Sequence, residues 1–349
     1  MTLRIAIAGV TGAVGAELVS LLAERAPDDV EMVFLASERS AGRSIDFRGR
    51  AHRIVALSDA ALEACDYAFF SCGKERSLRF ARAASERGTI VIDNSSAFRL
   101  DACVPLVVPE VNEAALFDDA RNAHRLIANP NCSTILLVVA LAPLAQAFGL
   151  KRVVVSTYQA ASGAGQQAMQ ALVDDTRRRV VDGAANGIAV ASASAASFGH
   201  DLSFNLIPKI DVLLDDGRTG EERKMDDETR KILGRDDIVV EATCVRVPVL
   251  RCHAESVTIE TVAPVRLAAA RSVLAEAPGV RLVDGPDRFP MPSSVEGSAI
   301  VEVGRLRESR VFDRGLSFFL CGDQLLKGAA TNAVQIFESV RARDRSRPH

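Results

Sequence analysis

The feature that most restricts the fold is the N-terminal run "RIAIAGVTGAVGAELVSLLAER", in which an apolar segment passes through three glycines into a helical pattern. Gly9, Gly12 and Gly15 recur at intervals of three. Glycine permits a tight turn and a close backbone approach, and a helix N-terminus offers free N–H groups to an anionic pyrophosphate. The run therefore predicts a strand, a turn and a helix that together bind a dinucleotide. Because the spacing departs from G-x-G-x-x-G, a purely structural turn stays open as the alternative.

Strand and helix patterns continue to alternate beyond this turn. Buried strands are predicted for "EMVFLAS", "DYAFFSC", "TIVIDNS" and "LVVPEV", and a helix that ends at a glycine for "ERSLRFARAASERG". Such alternation with short connections predicts an α/β, Rossmann-like domain with a mostly parallel sheet covered on both faces. Later segments, "SFNLIPKI" among them, are predicted as longer strands, and some of them show the alternation of a sheet with one solvated face. They predict a second, α+β domain with a mixed, largely antiparallel sheet.

A chain of 349 residues is long for one domain, so we expect two. The change of pattern places the dinucleotide-binding domain at 1–131 and the second domain at 132–322. An amphipathic helical segment at 323–343 is expected to return to the first domain. The small-residue stretch at 183–200 is expected to be an exposed or mobile connection.

Composition excludes several classes of protein. The net charge is −3 and no basic tract is present, which argues against a nucleic-acid-binding protein. The longest apolar segment, "STILLVVALAPLAQAFGL", is interrupted by Pro143 and is polar at both ends, so it predicts a buried helix and no membrane span. Seven scattered cysteines, odd in number and without a C-x-x-C pair, argue against a disulfide framework and a zinc site. They favour a reducing cytoplasm.

The end of the second predicted strand bears on the choice of cofactor. An acid there would serve the ribose 2′-hydroxyl of NAD. Here the segment reads Ser37, Glu38, Arg39, Ser40. A guanidinium with neighbouring hydroxyls can bind a 2′-phosphate, so the cluster favours NADP. Glu38 is the competing interpretation, since it could serve a 2′-hydroxyl or face the solvent.

Cys132, in "IANPNCSTI", precedes a long helical pattern. The positive end of a helix dipole favours the thiolate, and free N–H groups there can stabilise an oxyanion. The alternative is a small buried hydrophobic residue, which is how we interpret the other six cysteines. His253, in "RVPVLRCHAES", lies near Arg246 and Glu255 and is a candidate acid or base. A histidine between two strands can equally be a solvated turn residue.

Several motifs together resemble those of aspartate-β-semialdehyde dehydrogenases, in the same order and over essentially the whole chain. They are "GVTGAVG", "IANPNCSTI", "STYQAASGAG", "FNLIPKID" with "TGEERKMDDETRKIL", "VRVPVLRCHAES" and "DQLLKGAATNAVQI". The resemblance implies an enzyme that converts L-aspartyl-4-phosphate and NADPH to L-aspartate 4-semialdehyde, NADP and phosphate. That reaction feeds lysine, diaminopimelate, methionine and threonine synthesis. It further implies a homodimer, with a tetramer as the alternative, and makes 132–322 the catalytic and dimerisation domain.

The resemblance also assigns individual roles. It makes Cys132 the nucleophile, His253 the acid/base and Gln159 the side chain that positions the acyl group. For the substrate it implies Arg246 at the α-carboxylate, Glu221 at the amino group, and Arg99, Lys224 and Asn131 at the phosphate. For NADP it implies the turn from Gly9 through Thr11, Gly12, Ala13 and Val14, with Arg39, Ser40, Ser162, Gly163 and Gln324. It implies no metal ion.

Single residues keep simpler alternatives. Arg99 could pair with Asp101, and Lys224 could be a solvated helix residue paired with Glu228. The chain departs from the family pattern at Cys252, where glycine is usual, and at Lys74, where a small residue is more common. Two other functions stay open at this point: N-acetyl-γ-glutamyl-phosphate reductase, which also takes an acyl phosphate, and a non-catalytic dinucleotide-binding paralogue.

Overall fold

The structure is a computed structural model and describes residues 2–117, 125–181 and 194–346. The chain divides into two compact units. The first consists of Met1–Asn131, Lys231–Gly234 and Gly328–His349, and the second of Cys132–Arg230 and Arg235–Lys327. Most of the small-residue connection predicted at 183–200 lies outside the described residues.

The strands in the described residues fall into three sheets. In chain order they are β1 Arg4–Ala8, β2 Glu31–Ala36, β3 Ser44–Phe47, β4 Arg50–Arg53, β5 Val55–Ala56, β6 Tyr67–Phe70, β7 Ile90–Asp93, β8 Leu126–Ala128, β9 Leu150–Gln159, β10 Val239–Arg246, β11 His253–Thr261, β12 Val280–Leu282, β13 Val301–Glu308 and β14 Gly315–Gly322. The β3–β4 hairpin forms a small sheet of its own.

The helices follow the same chain order. They are α1 Ala13–Arg25, α2 Asp59–Leu62, α3 Lys74–Glu86, α4 Pro109–Asn112, α5 Cys132–Phe148, α6 Gln166–Val181, α7 Ala195–Phe198, α8 Gly220–Leu233, α9 Leu267–Glu276, α10 Pro292–Val295 and α11 Thr331–Ser346. In the part of the chain that the structure describes, no helix is both long and apolar enough to cross a membrane.

The first unit is built on a six-stranded, fully parallel sheet in the order β5-β2-β1-β6-β7-β8. Helix α1 packs on it through Leu18 and Leu22, both completely buried. Helix α11 belongs to the same core, since the ring of Phe337 lies 4.8 Å from that of Tyr67 and 5.9 Å from that of Phe69. Burying a side chain of this size contributes roughly 1.5–3 kcal/mol, which fixes the C-terminal helix on this sheet.

The second unit is built on a mixed sheet in the order β10-β9-β11-β14-β13-β12. The pairs β9–β10 and β12–β13 are parallel, and the other three are antiparallel. Helix α5 packs on one face of this sheet, and Ile135 to Leu141 are all buried. The apolar segment that contains Pro143 is thus the buried helix that its sequence predicts. The predicted fold class, an α/β domain followed by an α+β domain with a mixed sheet, is also confirmed.

Two predicted strands are wrong. In "LVVPEV" only Leu106 forms a bridge, to Ala128, and Pro109 begins helix α4. In "SFNLIPKI" only Ile207 forms a bridge, to Arg246. Both segments contain a proline, which lacks the N–H that a strand ladder requires, and this stops the pairing after a single bridge.

Candidate active site

Three side chains of the predicted site come together at one end of the second sheet. Gln159 ends β9, Arg246 ends β10 in register with it, and His253 begins β11 on the other side of β9. All three are buried, with exposed fractions of 1%, 7% and 0%. Residues directly opposite each other on paired strands face the same side of the sheet, so the register itself places these three in one row.

Cys132 is the first residue of the 17-residue helix α5 and is half-buried. The next residue, Ser133, accepts a hydrogen bond from the Gln159 side-chain amide, which also donates to Glu221 Oε1 at 3.1 Å. Gln159 is thereby fixed beside the start of the helix. Arg246 interacts electrostatically with Cys132. A helix N-terminus and a nearby guanidinium both favour the thiolate form of the cysteine.

His253 has a defined tautomer. The backbone N–H of Ala160 donates to Nδ1 at 3.0 Å, so the neutral ring carries its proton on Nε2. Complete burial, followed by the charge of Arg246, holds the pKa of His253 well below its ordinary value. Nε2 is buried and has no hydrogen-bond partner among the described residues. The ring therefore presents a neutral N–H donor for use by a substrate.

The backbone of one residue, Ala160, organises both basic residues of the row. The carbonyl oxygen of Ala160 accepts from Arg246 Nη1 at 2.6 Å, while its N–H serves His253. Gly163 lies against the same pair. A Cβ atom there would come within 2.8 Å of Arg246 Nη1 and 3.3 Å of His253 Nε2. Any larger residue here would push against the side chains of Arg246 and His253, whether or not a cofactor contacts the position.

A buried acid and a partly buried lysine complete this group. Glu221 is 5% exposed, and its Oε2 accepts from Lys224 Nζ at 3.2 Å. Lys224 also donates to Asp211 at 2.6 Å. Burial would lower the pKa of Lys224, but Glu221 and Asp211 outweigh it and the pKa is raised. The lysine therefore carries its charge at a site with acidic neighbours on both sides.

The chain matches two family models. The model described as the NAD-binding domain of semialdehyde dehydrogenase covers residues 4–118, and that described as its dimerisation domain covers residues 141–327. The aspartate-semialdehyde dehydrogenase of Aquifex aeolicus is 46% identical over 341 residues, which cover 97% of this chain and 98% of that protein. The chain belongs to the aspartate-semialdehyde dehydrogenase family.

Further relatives agree with this membership. The aspartate-semialdehyde dehydrogenase of Synechocystis is 45% identical over 338 residues, with 96% of each chain covered. Among solved structures, aspartate-semialdehyde dehydrogenase II from Vibrio cholerae superimposes with a TM-score of 0.91 at 40% identity, covering 98% of this chain and 99% of that one. These comparisons confirm the predicted family and the predicted fold class.

In this family member, the glycine turn of the first unit has the geometry of a phosphate cradle. Gly9 has φ 94°, and a Cβ atom on it would lie 2.3 Å from the carbonyl oxygen of Ser71. A Cβ atom on Gly15 would lie 2.3 Å from the carbonyl oxygen of Gly9. Gly12 caps α1, with Thr11 and Gly12 exposed ahead of its first turn. The turn and the helix start therefore leave free N–H groups open to an anion.

The first unit contains the predicted phosphate ligands Arg99 and Asn131 and the predicted cofactor contacts Arg39 and Ser40. Arg99 is buried, and its guanidinium donates to the carbonyl oxygens of Asn129 at 3.0 Å and Asn94 at 2.8 Å. Asp101, its simple alternative partner, pairs with Arg82 at 2.7 Å. Asn131 is buried and directly precedes Cys132 in the chain. Arg39 is exposed after β2, whereas Ser40 is buried.

Ser162 and Gln324, both predicted cofactor contacts, are bonded to each other. The Gln324 amide donates to Ser162 Oγ, and its Oε1 accepts from the backbone N–H of Cys252 at 2.8 Å. Both residues are at most 2% exposed. They fix the strand connection ahead of His253, so each has a structural task in addition to the predicted one.

Sequence patterns gave no signal for several residues of this group. Ser133 and Ala160 act through Gln159 and His253, and nothing local marks them out. Asp211 has φ 71°, and no pattern predicts that it meets Lys224. Glu255 was noted only as a neighbour of His253. An acid on a strand with apolar alternate neighbours would have been the one available sign of a buried carboxyl group.

Cys252, where the family resemblance predicts glycine, has a backbone conformation that glycine adopts most easily. Its φ is 75°, in the left-handed region, and the side chain is buried against Val295 and Cys321. A side chain in this conformation costs roughly 1–2 kcal/mol. His253 keeps its orientation, because its ring is held independently by Ala160.

We therefore expect Cys252→Gly to be at least as stable as Cys252→Ala. The alanine variant loses the buried sulfur but keeps the strain, whereas the glycine variant loses both. At an ordinary strand position glycine is less stable than alanine by roughly 0.5–1 kcal/mol. Urea unfolding of the two variants gives the order, and an alanine variant more stable by that margin would contradict the strain. Activity should stay within about twofold in both variants, because the His253 ring is held independently by Ala160. A twofold change in rate corresponds to ~0.4 kcal/mol of activation free energy.

Glu255 is a second buried acid behind the row. It lies two residues beyond His253 on β11, opposite Thr157 of β9, and is completely buried. Neither carboxyl oxygen has a hydrogen-bond partner among the described residues, and the same is true of the Thr157 hydroxyl. Burial, and then the charge of Glu221, raises the pKa of Glu255 well above its ordinary value. The folded protein therefore keeps this carboxyl group protonated to a higher pH than the unfolded chain does.

This protonation predicts how stability depends on pH. Above the ordinary carboxyl pKa the unfolded chain releases the proton of Glu255 while the folded chain retains it, so stability falls as the pH rises. A non-titrating Glu255→Gln variant should gain on the wild type as the pH rises above the ordinary carboxyl pKa, by up to about 1.4 kcal/mol per pH unit. Urea unfolding at a series of pH values measures the difference.

Glu260→Gln is the matched control on the same strand. The Glu260 carboxylate pairs with Arg152, which lowers its pKa, so its removal should act in the opposite direction. A pH-independent difference between Glu255→Gln and the wild type would show that Glu255 is ionised in the folded protein.

Proposed function

We propose that the chain is an NADPH-dependent, phosphorylating aldehyde dehydrogenase, which reduces L-aspartyl-4-phosphate to L-aspartate 4-semialdehyde through a thioester on Cys132. The observation that carries the proposal is the arrangement of one thiol with the row of Gln159, Arg246 and His253. A solved structure of the Vibrio cholerae relative is described as complexed with ASA. Acyl transfer needs a nucleophile, an oxyanion site and a proton donor, and this group contains all three.

The charges support an amino-acid substrate. Arg246 is a buried guanidinium suited to a bidentate carboxylate, so we assign it the α-carboxylate. Glu221 is a buried carboxylate, and we assign it the α-ammonium group. We assign the phosphate to Arg99, Asn131 and Lys224. N-acetylation removes the positive charge that Glu221 is assigned to bind, which disfavours N-acetyl-γ-glutamyl phosphate.

The reaction begins at the sulfur. The Cys132 thiolate bonds to the acyl carbon while the bond from that carbon to the phosphate oxygen breaks, and phosphate leaves with the electron pair. Gln159 holds the acyl oxygen near the free N–H groups at the start of α5, where negative charge develops. Bound NADPH supplies the hydride that reduces the resulting thioester. His253, which holds its proton at Nε2, assists the next step by donating a hydrogen bond as the oxyanion re-forms the carbonyl and the carbon–sulfur bond breaks, so that Cys132 leaves as the thiolate.

The cofactor assignment fits the residues present. The glycine turn leaves room for a backbone approach that any Cβ atom would block, as expected for a pyrophosphate at a helix N-terminus. Arg39 and Ser40 follow β2, where a 2′-phosphate would lie. We therefore assign NADP to the turn from Gly9 to Val14 and to Arg39 and Ser40. Ser162, Gly163 and Gln324 are assigned as further contacts in the second unit.

The remaining assignments concern organisation. We propose that 1–131 is the NADP-binding domain, completed by the segment 323–343, and that 132–322 is the catalytic and dimerisation domain. The family model matched over 141–327 is described as a dimerisation domain, which supports a homodimer, with a tetramer as the alternative. We propose a cytoplasmic location, since all seven cysteines are unpaired and the reaction requires a free thiol.

The decisive assay runs the reaction in reverse. Purified protein is mixed with L-aspartate 4-semialdehyde, NADP and phosphate, and NADPH formation is followed by absorbance. We expect reduction that requires phosphate, and a kcat/KM for N-acetyl-glutamate semialdehyde lower by about a thousandfold or more, because the acetylated amine offers Glu221 no positive charge. Equal rates with the acetylated aldehyde, or reduction that is independent of phosphate, would refute the proposal.

A further inference from the structure

A cavity in the first unit is lined by arginines from two different elements. It has a volume of about 450 Å³. One wall is Ser37, Glu38 and Arg39, which follow β2, and the opposite wall includes Arg76 and Arg79 of α3. The family resemblance assigns Arg39 to the cofactor, but it assigns nothing to Arg76 or Arg79. The cavity therefore extends beyond Arg39, the predicted cofactor contact at its edge, and contains two further arginines.

The topology explains why these walls face each other. Strands β2 and β6 flank β1 in the parallel sheet, so the segments that follow them lie on either side of the glycine turn. Gly73, with φ 88°, turns the chain from β6 into α3. Arg76 and Arg79 are three residues apart and so lie on the same face of that helix. Arg76 Nη1 reaches back to the carbonyl oxygen of Cys72 at 3.4 Å, towards the start of the helix.

The pairing of arginines along α3 differs between this face and the rest of the helix. Arg82 pairs with Asp101 at 2.7 Å, and Arg87 pairs with Asp59 at 2.6 Å. Arg76 and Arg79, which line the cavity, form no ion pair within the described residues. The guanidinium of Arg79 instead lies 4.8 Å from the centre of the Phe80 ring. The cavity therefore contains more arginines than acids, and two of these arginines form no ion pair among the described residues.

Because Glu38 is acidic, the positive charge of the cavity arginines matters for the binding of a phosphate. Glu38 lines the cavity beside Arg39, at the position where an acid would favour NAD by bonding the ribose 2′-hydroxyl. A 2′-phosphate next to Glu38 would be repelled, and Arg39 alone would do little more than offset that repulsion. Glu75 lines the cavity too, which brings its acids to two against three arginines. Binding of a doubly charged phosphate thus needs more than one arginine.

We propose that Arg76 and Arg79 are specificity residues that bind the 2′-phosphate of NADP opposite Arg39. The inference rests on the cofactor assigned in the proposed function. Guanidinium groups bind phosphate oxygens through paired N–H donors, and three of them around one phosphate would outweigh the acids of the cavity. A consequence is that Arg39→Gln alone leaves a preference for NADP, which disappears only when Arg76 and Arg79 are also replaced.

Binding of small nucleotides by the whole protein tests this without turnover. Calorimetry compares 2′,5′-ADP with 5′-AMP, which lacks only the 2′-phosphate, for the wild type, Arg76→Gln, Arg79→Gln and the double variant. Each single change should weaken 2′,5′-ADP by about tenfold, the size of one charge-assisted hydrogen bond, and leave 5′-AMP within about twofold. Arg87→Gln removes the same charge from the same helix outside the cavity and should change neither.

Kinetics give an independent reading. In the double variant, KM for NADPH should rise while KM for NADH and both kcat values stay near those of the wild type. A double variant that binds 2′,5′-ADP as the wild type does would overturn the inference, and so would equal weakening of both nucleotides. A wild type that fails to prefer 2′,5′-ADP would refute the NADP assignment itself. A wild-type preference that survives both substitutions would refute only the role of these arginines.

Discussion

Cys132→Ser is expected to lose turnover by about four to six orders of magnitude, the loss seen when a covalent nucleophile is removed. A serine hydroxyl at the start of α5 feels the same dipole and the same Arg246 charge, but it does not ionise at neutral pH. The thioester cannot form, and the remaining groups of the site have nothing to transfer. Stopped-flow detection of phosphate release from aspartyl phosphate, together with steady-state reduction of NADP, measures the loss.

Two controls separate chemistry from folding in this experiment. Affinity for NADPH should stay near that of the wild type, because the predicted contacts of Cys132 are to substrate. Cys103→Ser changes an exposed cysteine outside the assigned site and should retain full activity. Iodoacetamide should inactivate the wild type and the Cys103 variant alike. Turnover in Cys132→Ser within tenfold of the wild type would exclude a thioester mechanism.

Local features of this chain were predictable because their cause is local. The glycine turn is predicted from residues six apart, and the same spacing brings Gly15 against the carbonyl oxygen of Gly9. The start of α5 at Cys132 follows from one proline and an apolar run. In each case the physical requirement is met within one turn or one helix, so the sequence contains the whole argument.

The organisation of the site depends on strand register, which no local pattern specifies. Gln159, Arg246 and His253 are up to 94 residues apart and become neighbours only through the pairing of β9 with β10 and β11. The sequence does not indicate the role of Ala160, which holds two of them, because this residue acts through its backbone N–H and carbonyl oxygen. The failed strand predictions have a local cause instead, because each segment contains a proline that limits the pairing to one bridge.

Cys252 illustrates how a departure from a family pattern is resolved only by a dihedral angle. The sequence raises the question of whether a cysteine can replace glycine without moving His253. The structure answers that the backbone keeps the left-handed conformation at φ 75°, with its N–H held by Gln324. The histidine is fixed by a different peptide, so the replacement costs stability while the proton donor keeps its place.

Arg246→Leu is expected to lower kcat/KM for L-aspartate 4-semialdehyde by about a hundredfold to several thousandfold, the 3–5 kcal/mol lost when one partner of a buried ion pair is removed. The guanidinium is 7% exposed, and nothing else among the described residues of the row carries a positive charge to replace it. Its loss leaves the substrate carboxylate unpaired and Glu221 without the positive charge of Arg246 nearby. It also removes the hydrogen bond from Arg246 to the carbonyl oxygen of Ala160, the residue whose N–H orients His253.

The distribution of that loss identifies the role of the arginine. Binding of the α-carboxylate should appear as a higher KM for the aldehyde with KM for NADP unchanged, whereas misplacement of His253 should appear as a lower kcat. Arg246→Lys restores the charge but not the fork of N–H donors, so it should recover less than half of the lost free energy. Arg152→Leu, an exposed arginine on the neighbouring strand β9, is the matched control and should leave both constants unchanged. An Arg246→Leu enzyme with unaltered aldehyde KM would assign the carboxylate to another cation.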